Sequence, residues 1–389
     1  MRIVFGAVLA HYPDCSAGHV CAILSWLYAF RSIGAEVWII EEMSSDELVF
    51  TDDDRIQSVN ERFWHSTISE FADMDRASLF VDGEADNASA FKEFCRSSDL
   101  FINFSGQWEQ MDLVSECPCR VYLDVDPGYT QVWREAYDCS MNLENHTHYV
   151  TVGLRVPNVE CVIPKNGKDW IETPPPASVQ LWKDLERRSA AEERGLDTPE
   201  IGTNAWTTVT HWEGYNEIEW EGITFGNKRD SFIDLIDTPS CLALKRDLLV
   251  ASDIQPEWGD YANFHSKGWR FISNRKVCAN LTSYFGFLEM SRGEIGIAKK
   301  GYVSSGSGWM SDRSMGYISL GKPVVLQDTG WTQVFEPRKG WVAFQDAESL
   351  AQQISDVEAD YETHCNAALE LATTEFDGET ILKKLLARI

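Results

Sequence analysis

Residues 299–330 read KKGYVSSGSGWMSDRSMGYISLGKPVVLQDTG, and this stretch decides the fold. Small residues fill positions 304–308, an apolar helical pattern follows at 315–320, and residues 321–325 predict the return of a strand into a sheet. A loop of small residues before a helix lets backbone N–H groups approach phosphate oxygens. The stretch therefore predicts a parallel α/β sheet with a phosphate-binding loop at the carboxyl ends of its strands.

The amino-terminal half carries the same alternation of strand and helix. Residues 3–9 predict a strand, 19–33 a helix and 36–40 a second strand after Gly34, which together make one βαβ unit. The remaining predicted strands are 79–81, 100–104, 120–125, 206–210, 242–244, 269–272, 295–297, 323–326 and 341–344, and the closing helices are 348–357 and 367–389.

This order of elements predicts two Rossmann-like, doubly wound parallel-sheet domains that face each other across a cleft. We expect them to span residues 1–195 and 196–389, with a proline-rich and charged connection at the end of the first. The last helix is a candidate to pack back on the first domain.

The composition of the chain excludes several classes of protein. Its 389 residues carry a formal charge of −27, from 34 basic and 61 acidic side chains, which disfavours binding to nucleic acid or anionic lipid. It has no apolar run of about 18 residues and starts with a strand pattern, so we expect no membrane span and a cytoplasmic location. Its ten cysteines are scattered without metal-ligand spacing, so no metal is predicted.

Three titratable side chains follow predicted strands of the first domain. His19 comes after Gly18 at the start of the first long helix, where a neutral histidine can accept a proton from a substrate hydroxyl. Asp124 and Asp126 lie at the end of the predicted strand 120–125 and are candidates to orient His19, to bind sugar hydroxyls or to cap the Asp-Pro-Gly turn. The alternative for His19 is a helix-capping residue without a chemical role.

The order of these motifs resembles that of the GT-B glycosyltransferases, and most of all bacterial proteins described only as glycosyltransferase-like. From Gly18 the chain reads Gly-His-Val-x6-Leu-x6-Gly-x-Glu-Val, as in the first βαβ unit of inverting members. Two features of the family are missing. The paired glutamates of many retaining members fall on Gly308 and Gly316, and the His-Cys-Gly-Trp signature of natural-product members is absent. The resemblance covers 103–106, 124–131, 207–215, 291–303 and 309–330.

The resemblance implies transfer of a sugar from a nucleotide-sugar donor to an unidentified acceptor, without a metal or other cofactor. His19 would be the base of an inverting reaction, supported by Asp124 or Asp126. The alternatives are a non-catalytic nucleotide- or sugar-binding protein and an epimerase or phosphorylase on the same fold. The implied acceptor-side residues are Gly18, Asn103, Ser105 and Gly106, and the implied donor-binding residues are Thr208, Lys228, Arg229, Lys299, Gly306, Gly308, Ser311, Arg313, Ser314, Asp328, Thr329 and Gly330.

Overall fold

Parallel strands form the first sheet. The computed structural model describes residues 1–51, 56–191 and 204–389. The strands of this sheet are β1 (Arg2–Gly6), β2 (Glu36–Met43), β3 (Ala77–Val81), β4 (Leu100–Phe104), β5 (Cys119–Asp124), β6 (His148–Thr151) and β7 (Trp170–Glu172). Within the described ranges they pair in the order β3-β2-β1-β4-β5-β6-β7. The helices that accompany them are α1 (Ala17–Ser32), α2 (Val59–Phe71), α3 (Ala88–Arg96), α4 (Tyr129–Tyr137) and α5 (Val179–Ala191).

A second parallel sheet follows in the carboxyl-terminal half. Its strands are β8 (Trp206–Val209), β11 (Leu248–Ser252), β12 (Trp269–Ser273), β13 (Gly293–Gly296), β14 (Val324–Gln327) and β15 (Trp341–Phe344), in the order β12-β11-β8-β13-β14-β15. Strands β9 (Ile218–Trp220) and β10 (Ile223–Phe225) form a separate antiparallel hairpin. The helices are α6 (Lys228–Asp234), α7 (Thr238–Cys241), α8 (Gly259–Ser266), α9 (Asn274–Val277), α10 (Leu281–Met290), α11 (Lys300–Ser305), α12 (Asp312–Ser319), α13 (Ala347–Ala359), α14 (Tyr361–Thr373) and α15 (Gly378–Leu386).

Strand β13 shows why glycine is needed inside this second sheet. A Cβ atom at Gly293 would lie 2.5 Å from the buried ring of Trp206, and one at Gly296 would collide with Leu326. The two glycines therefore let the neighbouring strands and their large side chains close over β13. The strand carries Glu294, which is fully buried and accepts a hydrogen bond from Arg313 at 2.6 Å.

The predicted pair of doubly wound domains is confirmed, with three local differences. Residues 242–244 are not a strand, because this stretch is mostly exposed and the buried β11 takes its place in the sheet. Strands β6, β7, β9, β10 and β11 were not predicted. The closing helix of 367–389 is divided between α14 and α15, since Asp377 accepts the Thr380 N–H and starts a new helix. The predicted boundary at 195 and 196 lies outside the described residues.

Helices of the two halves pack on each other across the domain interface. Helix α5 contacts α10 and α12, and α1 contacts α10, α12 and the last helix, α15. One hydrophobic cluster accordingly runs from the first sheet into the second domain. Among the described residues, no helix combines the length and the apolar character needed to cross a bilayer.

Glu358 on α13 forms hydrogen bonds with three side chains from separate parts of the second domain. Its carboxylate, 3% exposed, accepts hydrogen bonds from Arg246 at 2.8 Å and Arg292 at 2.9 Å and from the indole N–H of Trp206 at 3.0 Å. Each arginine remains partly exposed. The carboxylate therefore compensates two cations that lie at the edge of the core.

We expect Glu358→Gln to lower the free energy of unfolding by about 2 kcal/mol. This is less than the range for a fully buried ion pair, because both arginines keep contact with water. Urea denaturation measures the change. The control is Glu379→Gln, whose pair with Lys383 is largely exposed and should contribute below about 0.5 kcal/mol. Equal losses in the two variants would contradict the prediction.

Candidate functional site

A cleft of about 650 Å³ lies between the domains, at the carboxyl ends of both sheets. Parallel strands present their following loops at one edge, so residues distant in the chain meet there. A second chamber of about 220 Å³ shares part of this wall and adds Ser311. The cleft brings together these predicted residues: Gly18, His19, Ser105, Asp126, Lys228, Lys299 and Arg313.

His19 is half-buried in the cleft wall and is oriented by a backbone carbonyl. Its Nε2 lies 2.7 Å from the oxygen of Val8. Because a carbonyl only accepts hydrogen bonds, Nε2 carries the proton and Nδ1 is the acceptor nitrogen of the neutral ring. Tyr12 and Phe104 contact the ring edge-on. Burial lowers the pKa of His19 from its usual 6.5, so the neutral form dominates at pH 7.

Asp124 lies beneath the cleft and does not line it. Its carboxylate is fully buried and accepts hydrogen bonds from Thr130, Gln131 and Thr151 at 2.7–2.8 Å. Burial raises its pKa, although these hydrogen bonds oppose the rise. The prediction that Asp124 orients His19 is therefore wrong. Asp124 also accepts the backbone N–H of Asp126 at 3.1 Å, so it shapes the turn that carries Asp126.

Asp126 joins the two domains through a group that we call the Asp126 cluster: Asp126, Tyr215, Lys299 and Tyr302. Lys299 Nζ lies 2.7 Å from Asp126 Oδ1, the Tyr215 hydroxyl donates to Oδ2 at 3.0 Å, and Tyr302 donates to Oδ1. The Lys299 ammonium also lies 3.7 Å from the centroid of the Tyr215 ring. Burial alone would raise the pKa of Asp126, but Lys299 and the two hydroxyl donors outweigh it and hold that pKa below its usual value. Asp126 is thus hydrogen-bonded to side chains of the second domain and not to His19.

Lys228 is a basic residue of the cleft without a described counter-ion. It is the first residue of helix α6, where the Asn227 N–H donates to the Asp230 carboxylate at 2.7 Å. Among the described residues none forms a hydrogen bond or ion pair with its Nζ. Desolvation in the cleft wall, with the neighbouring charges of Arg313 and Lys299, lowers the pKa of Lys228 well below its usual value. An anion bound next to Lys228 would raise the pKa of its ammonium group again.

Arg313 is the second basic residue of this wall. Its Nε donates to Glu294 at 2.6 Å and its Nη1 to the Val209 carbonyl at 2.8 Å. The third nitrogen, Nη2, is buried without a hydrogen-bond partner among the described residues. Since a buried guanidinium N–H is costly to leave unpaired, Arg313 has a donor available for a bound ligand. Glu294 meanwhile fixes the orientation of the guanidinium.

The predicted phosphate cradle is occupied by a side chain of the first domain. Arg155 Nη1 donates to the Gly306 carbonyl at 2.8 Å, and the Arg155 backbone N–H donates to the Ser307 carbonyl at 3.1 Å. A Cβ atom at Gly306, Gly308 or Gly330 would lie 2.6–3.0 Å from an Arg155 atom. The small residues of this loop therefore accommodate Arg155 and belong to the domain interface.

The other predicted donor-side and acceptor-side residues lie outside the cleft lining. Arg229 pairs with Asp260 at 2.6 Å, and the Asn103 amide bonds to the backbone of Trp108. Asp328 accepts hydrogen bonds in the turn at Gly330. The remaining residues pack in the interior or support the loops: Gly106, Thr208, Ser314 and Thr329, whose hydroxyl bonds to the Trp309 carbonyl.

Sequence reasoning missed the residues that support the β1–α1 loop. Glu41 on β2 is buried and accepts the backbone N–H groups of Leu9, Ala10 and His11 at 2.7–3.1 Å. It also binds His11 Nδ1 at 2.9 Å, which raises the pKa of His11. A glutamate inside a buried apolar strand was the available signal, because a buried carboxylate needs several donors.

The fold of this chain is similar to that of several solved structures. The sequence matches no protein-family model and no curated protein. Similar solved structures include the Anabaena HepE protein in complex with UDP and glucose, with a TM-score of 0.54 and 12% identity over the whole of both chains. An α-glucosyltransferase in complex with UDP and DNA has a TM-score of 0.55 and 11% identity over 100% of this chain and 99% of the other. This chain has the GT-B fold.

An epimerase also has this architecture. The UDP-GlcNAc 2-epimerase of Neisseria meningitidis, bound to UDP-GlcNAc, has a TM-score of 0.50 and 10% identity over 100% of this chain and 99% of the other. The GT-B fold thus accommodates more than one reaction, and the function of this chain has to be argued from its own cleft.

A double-mutant cycle tests the Asp126 cluster. Asp126→Asn should leave Lys299 buried without its counter-ion, whereas Asp126→Asn with Lys299→Met removes both charges. We expect a coupling free energy of about 1–3 kcal/mol from urea denaturation at pH 7. The folded-state pKa of Asp126 is depressed, so this stabilisation is present at neutral pH and lost as the pH falls through that pKa.

The matched control cycle uses Asp237→Asn and Lys267→Met. This pair has a similar distance, 2.8 Å, but both side chains are about half exposed. Its coupling should be close to zero. A coupling at Asp126 no larger than this control would contradict the prediction.

Proposed function

We propose that the chain is a glycosyltransferase that binds a nucleotide-sugar donor in the interdomain cleft. The observation that carries this proposal is Lys228, which has no described partner and lies beside Arg313 with its own unpaired N–H. Two neighbouring cations that share a cleft repel each other unless an anion lies between them. A diphosphate satisfies both, and Arg313 can offer it a charge-assisted hydrogen bond.

The charged side chains of the cleft lining support a diphosphate site next to Lys228. Within the described lining the basic side chains are Lys228, Lys299 and Arg313, and the acidic ones are Asp14, Asp126 and Asp312. Asp126 compensates Lys299, and Glu294 compensates part of Arg313. Lys228 therefore supplies the charge that the donor would neutralise. UDP is the first nucleotide to test, since the similar structures hold UDP or a UDP-sugar.

His19 is the base that this proposal assigns. Its Nδ1 would take the proton of the acceptor hydroxyl while the acceptor oxygen bonds to the anomeric carbon of the donor. The bond from that carbon to the diphosphate oxygen breaks, and the electron pair leaves with the nucleotide diphosphate. Lys228 and Arg313 would stabilise the charge that develops on this leaving group. Direct displacement inverts the anomeric configuration.

The packing at Gly308 and Gly316 supports an inverting course. A Cβ atom at Gly308 would lie 2.8 Å from the backbone nitrogen of Arg155, and one at Gly316 would lie 2.5 Å from the Trp182 ring. These positions therefore leave no room for the paired glutamates that the family resemblance associates with many retaining members. An inverting reaction uses a protein base, and His19 lies in the same cleft as Lys228.

The donor site is tested by calorimetry with UDP and UDP-sugars. Lys228→Met should weaken binding by about 1.5–3 kcal/mol, the range for a hydrogen bond to a charged group. The control is Lys300→Met, a lysine that pairs with Asp234 on the surface and should leave affinity unchanged. Arg313→Ala is less suitable, because it also leaves Glu294 buried without its partner. Equal affinity in the Lys228 and Lys300 variants would contradict the diphosphate site.

His19 is tested by turnover at saturating donor and acceptor. His19→Gln keeps a donor for the Val8 carbonyl but has no base, so kcat should fall by about 10²–10⁴-fold with little change in donor affinity. Because burial lowers the pKa of His19, the acid limb of the wild-type kcat profile should lie below pH 6.5. Rates should fall as the pH decreases through it. Wild-type turnover in His19→Gln would exclude the base role, and UDP binding without turnover in the wild-type protein would favour the non-catalytic alternative.

A further inference from the structure

The peptide group between Val8 and Leu9 takes part in two hydrogen bonds. Its carbonyl oxygen, on Val8, lies 2.7 Å from His19 Nε2. Its N–H, on Leu9, donates to Glu41 Oε2 at 2.7 Å. Because a trans peptide group is planar, its carbonyl and its N–H point in opposite directions from one rigid unit. This unit therefore connects the carboxylate of Glu41 to the imidazole of His19.

The Glu41 carboxylate is held in one position by further donors. Its Oε2 also accepts the Ala10 N–H at 2.9 Å, while Oε1 accepts the His11 N–H at 3.1 Å and lies 2.9 Å from His11 Nδ1. The side chain is only 1% exposed and belongs to β2, which pairs with β1 in the first sheet. A buried carboxylate is tolerated when donors surround it in this way. Its negative charge therefore lies at a fixed distance from the Leu9 N–H.

A carboxylate in this position strengthens the hydrogen bond to His19. A peptide group whose N–H donates to an anion is polarised, so its carbonyl oxygen becomes a better acceptor. The gain is larger when the imidazole is protonated, because hydrogen bonds from a charged donor are stronger. Burial lowers the pKa of His19, while its backbone hydrogen bond and the charges of nearby carboxylates, Glu41 among them, oppose that shift. The other carboxylates with this effect are Asp126 and Asp312, in the cleft lining.

This arrangement differs from the direct contact with a carboxylate that the sequence suggested. Asp124 and Asp126 are hydrogen-bonded to other side chains. A carboxylate can orient a histidine through its second ring nitrogen, and a backbone carbonyl can do the same. Here the carbonyl makes the contact and Glu41 lies behind it. The intervening peptide group should raise the basicity of the ring less than a direct carboxylate would, which leaves His19 neutral at pH 7.

We propose that Glu41 is a positioning residue for His19 and acts through the peptide group between Val8 and Leu9. The inference rests on the proposed function, in which His19 is the base. The proton of the acceptor hydroxyl moves to Nδ1, and the proton on Nε2 stays in place. Positive charge then develops on the imidazole ring, and Glu41 stabilises it through the polarised Val8 carbonyl.

NMR of histidine-labelled protein measures the pKa of His19 without any substrate. Glu41→Gln keeps an oxygen that can accept the Leu9 N–H but removes the negative charge, so the His19 pKa should fall further, by about 0.5–1 unit. The matched control is Glu42→Gln, the next residue on β2, whose carboxylate accepts the backbone N–H groups of residues 109 and 110 in another loop. An unchanged His19 pKa in Glu41→Gln, or an equal shift in the control, would overturn the proposal.

A second measurement leaves Glu41 in place and does not depend on how well its variants fold. Because one peptide group carries both hydrogen bonds, the backbone amide resonance of Leu9 should change with pH at the midpoint of the His19 titration. His11 titrates at higher pH, since its hydrogen bond to Glu41 raises its pKa, so the two transitions are separate. The lower transition should be absent in His19→Gln. A wild-type Leu9 resonance that lacks it would contradict the link through the peptide group.

Turnover separates this inference from the proposed function. At saturating donor and acceptor, Glu41→Gln should lower kcat by about 3–10-fold and move the acid limb to lower pH, because a weaker base accepts the proton less readily. UDP affinity should not change, and Glu42→Gln should keep wild-type turnover. Wild-type kcat in Glu41→Gln would show that Glu41 has no part in the transfer. If the wild-type protein transfers no sugar, the proposed function fails, whereas the two titrations still decide whether Glu41 acts on His19.

Discussion

The ion pair between Asp126 and Lys299 is the contact on which the cleft depends. It connects the loop after β5 to the start of α11, which are far apart in the chain and belong to different domains. Both charges have to be present, because either one alone would be desolvated in the cleft wall without a counter-ion. Tyr215 and Tyr302 complete the coordination of the carboxylate. The relative position of the two sheets at their carboxyl ends is thereby specified by charge as well as by apolar packing.

The same contact determines which cation is available for a ligand. In a chain with a formal charge of −27, a phosphate group meets an unfavourable field at most of the surface. Lys299 does not offset this field, because Asp126 already neutralises it. Arg313 is held by Glu294, but one N–H remains unpaired. Lys228 is thus the lysine of the described cleft lining that no carboxylate compensates, and its pKa is lowered by desolvation and, to a smaller extent, by the charges of Arg313 and Lys299.

The sequence predicted the domains better than the site, and the physical reason differs from residue to residue. Parallel βαβ units follow from periodicity and glycine positions, so most of the two sheets was predicted, whereas the short strands β6 and β7, next to and at one edge of the first sheet, have little pattern of their own. His19 was predicted to face the cleft because the first helix starts where the first strand ends, and Lys228 because the family resemblance assigns the first loops of the second domain to the donor. The packing of Arg155 against the Gly/Ser loop was not predicted, because small residues admit a side chain as readily as a phosphate. The partners Asp260 and Glu294 are distant in the chain from the arginines they bind, so local spacing carried no sign of them.

The loops at the carboxyl ends of the strands have two structural roles in this protein. They line the cleft, and they also make the polar contacts that join the domains: Asp126 with Lys299, Arg155 with Gly306, and Ala17 with Cys278. Any movement that widens the cleft has to break some of these contacts. The neutral hydrogen bond from Ala17 to Cys278 contributes little net free energy, the bond from the Arg155 guanidinium contributes more, and separating Asp126 from Lys299 exposes two charges to a new environment. Opening should therefore be easiest on the side of Ala17 and Cys278, with the Asp126 cluster as the contact that is kept.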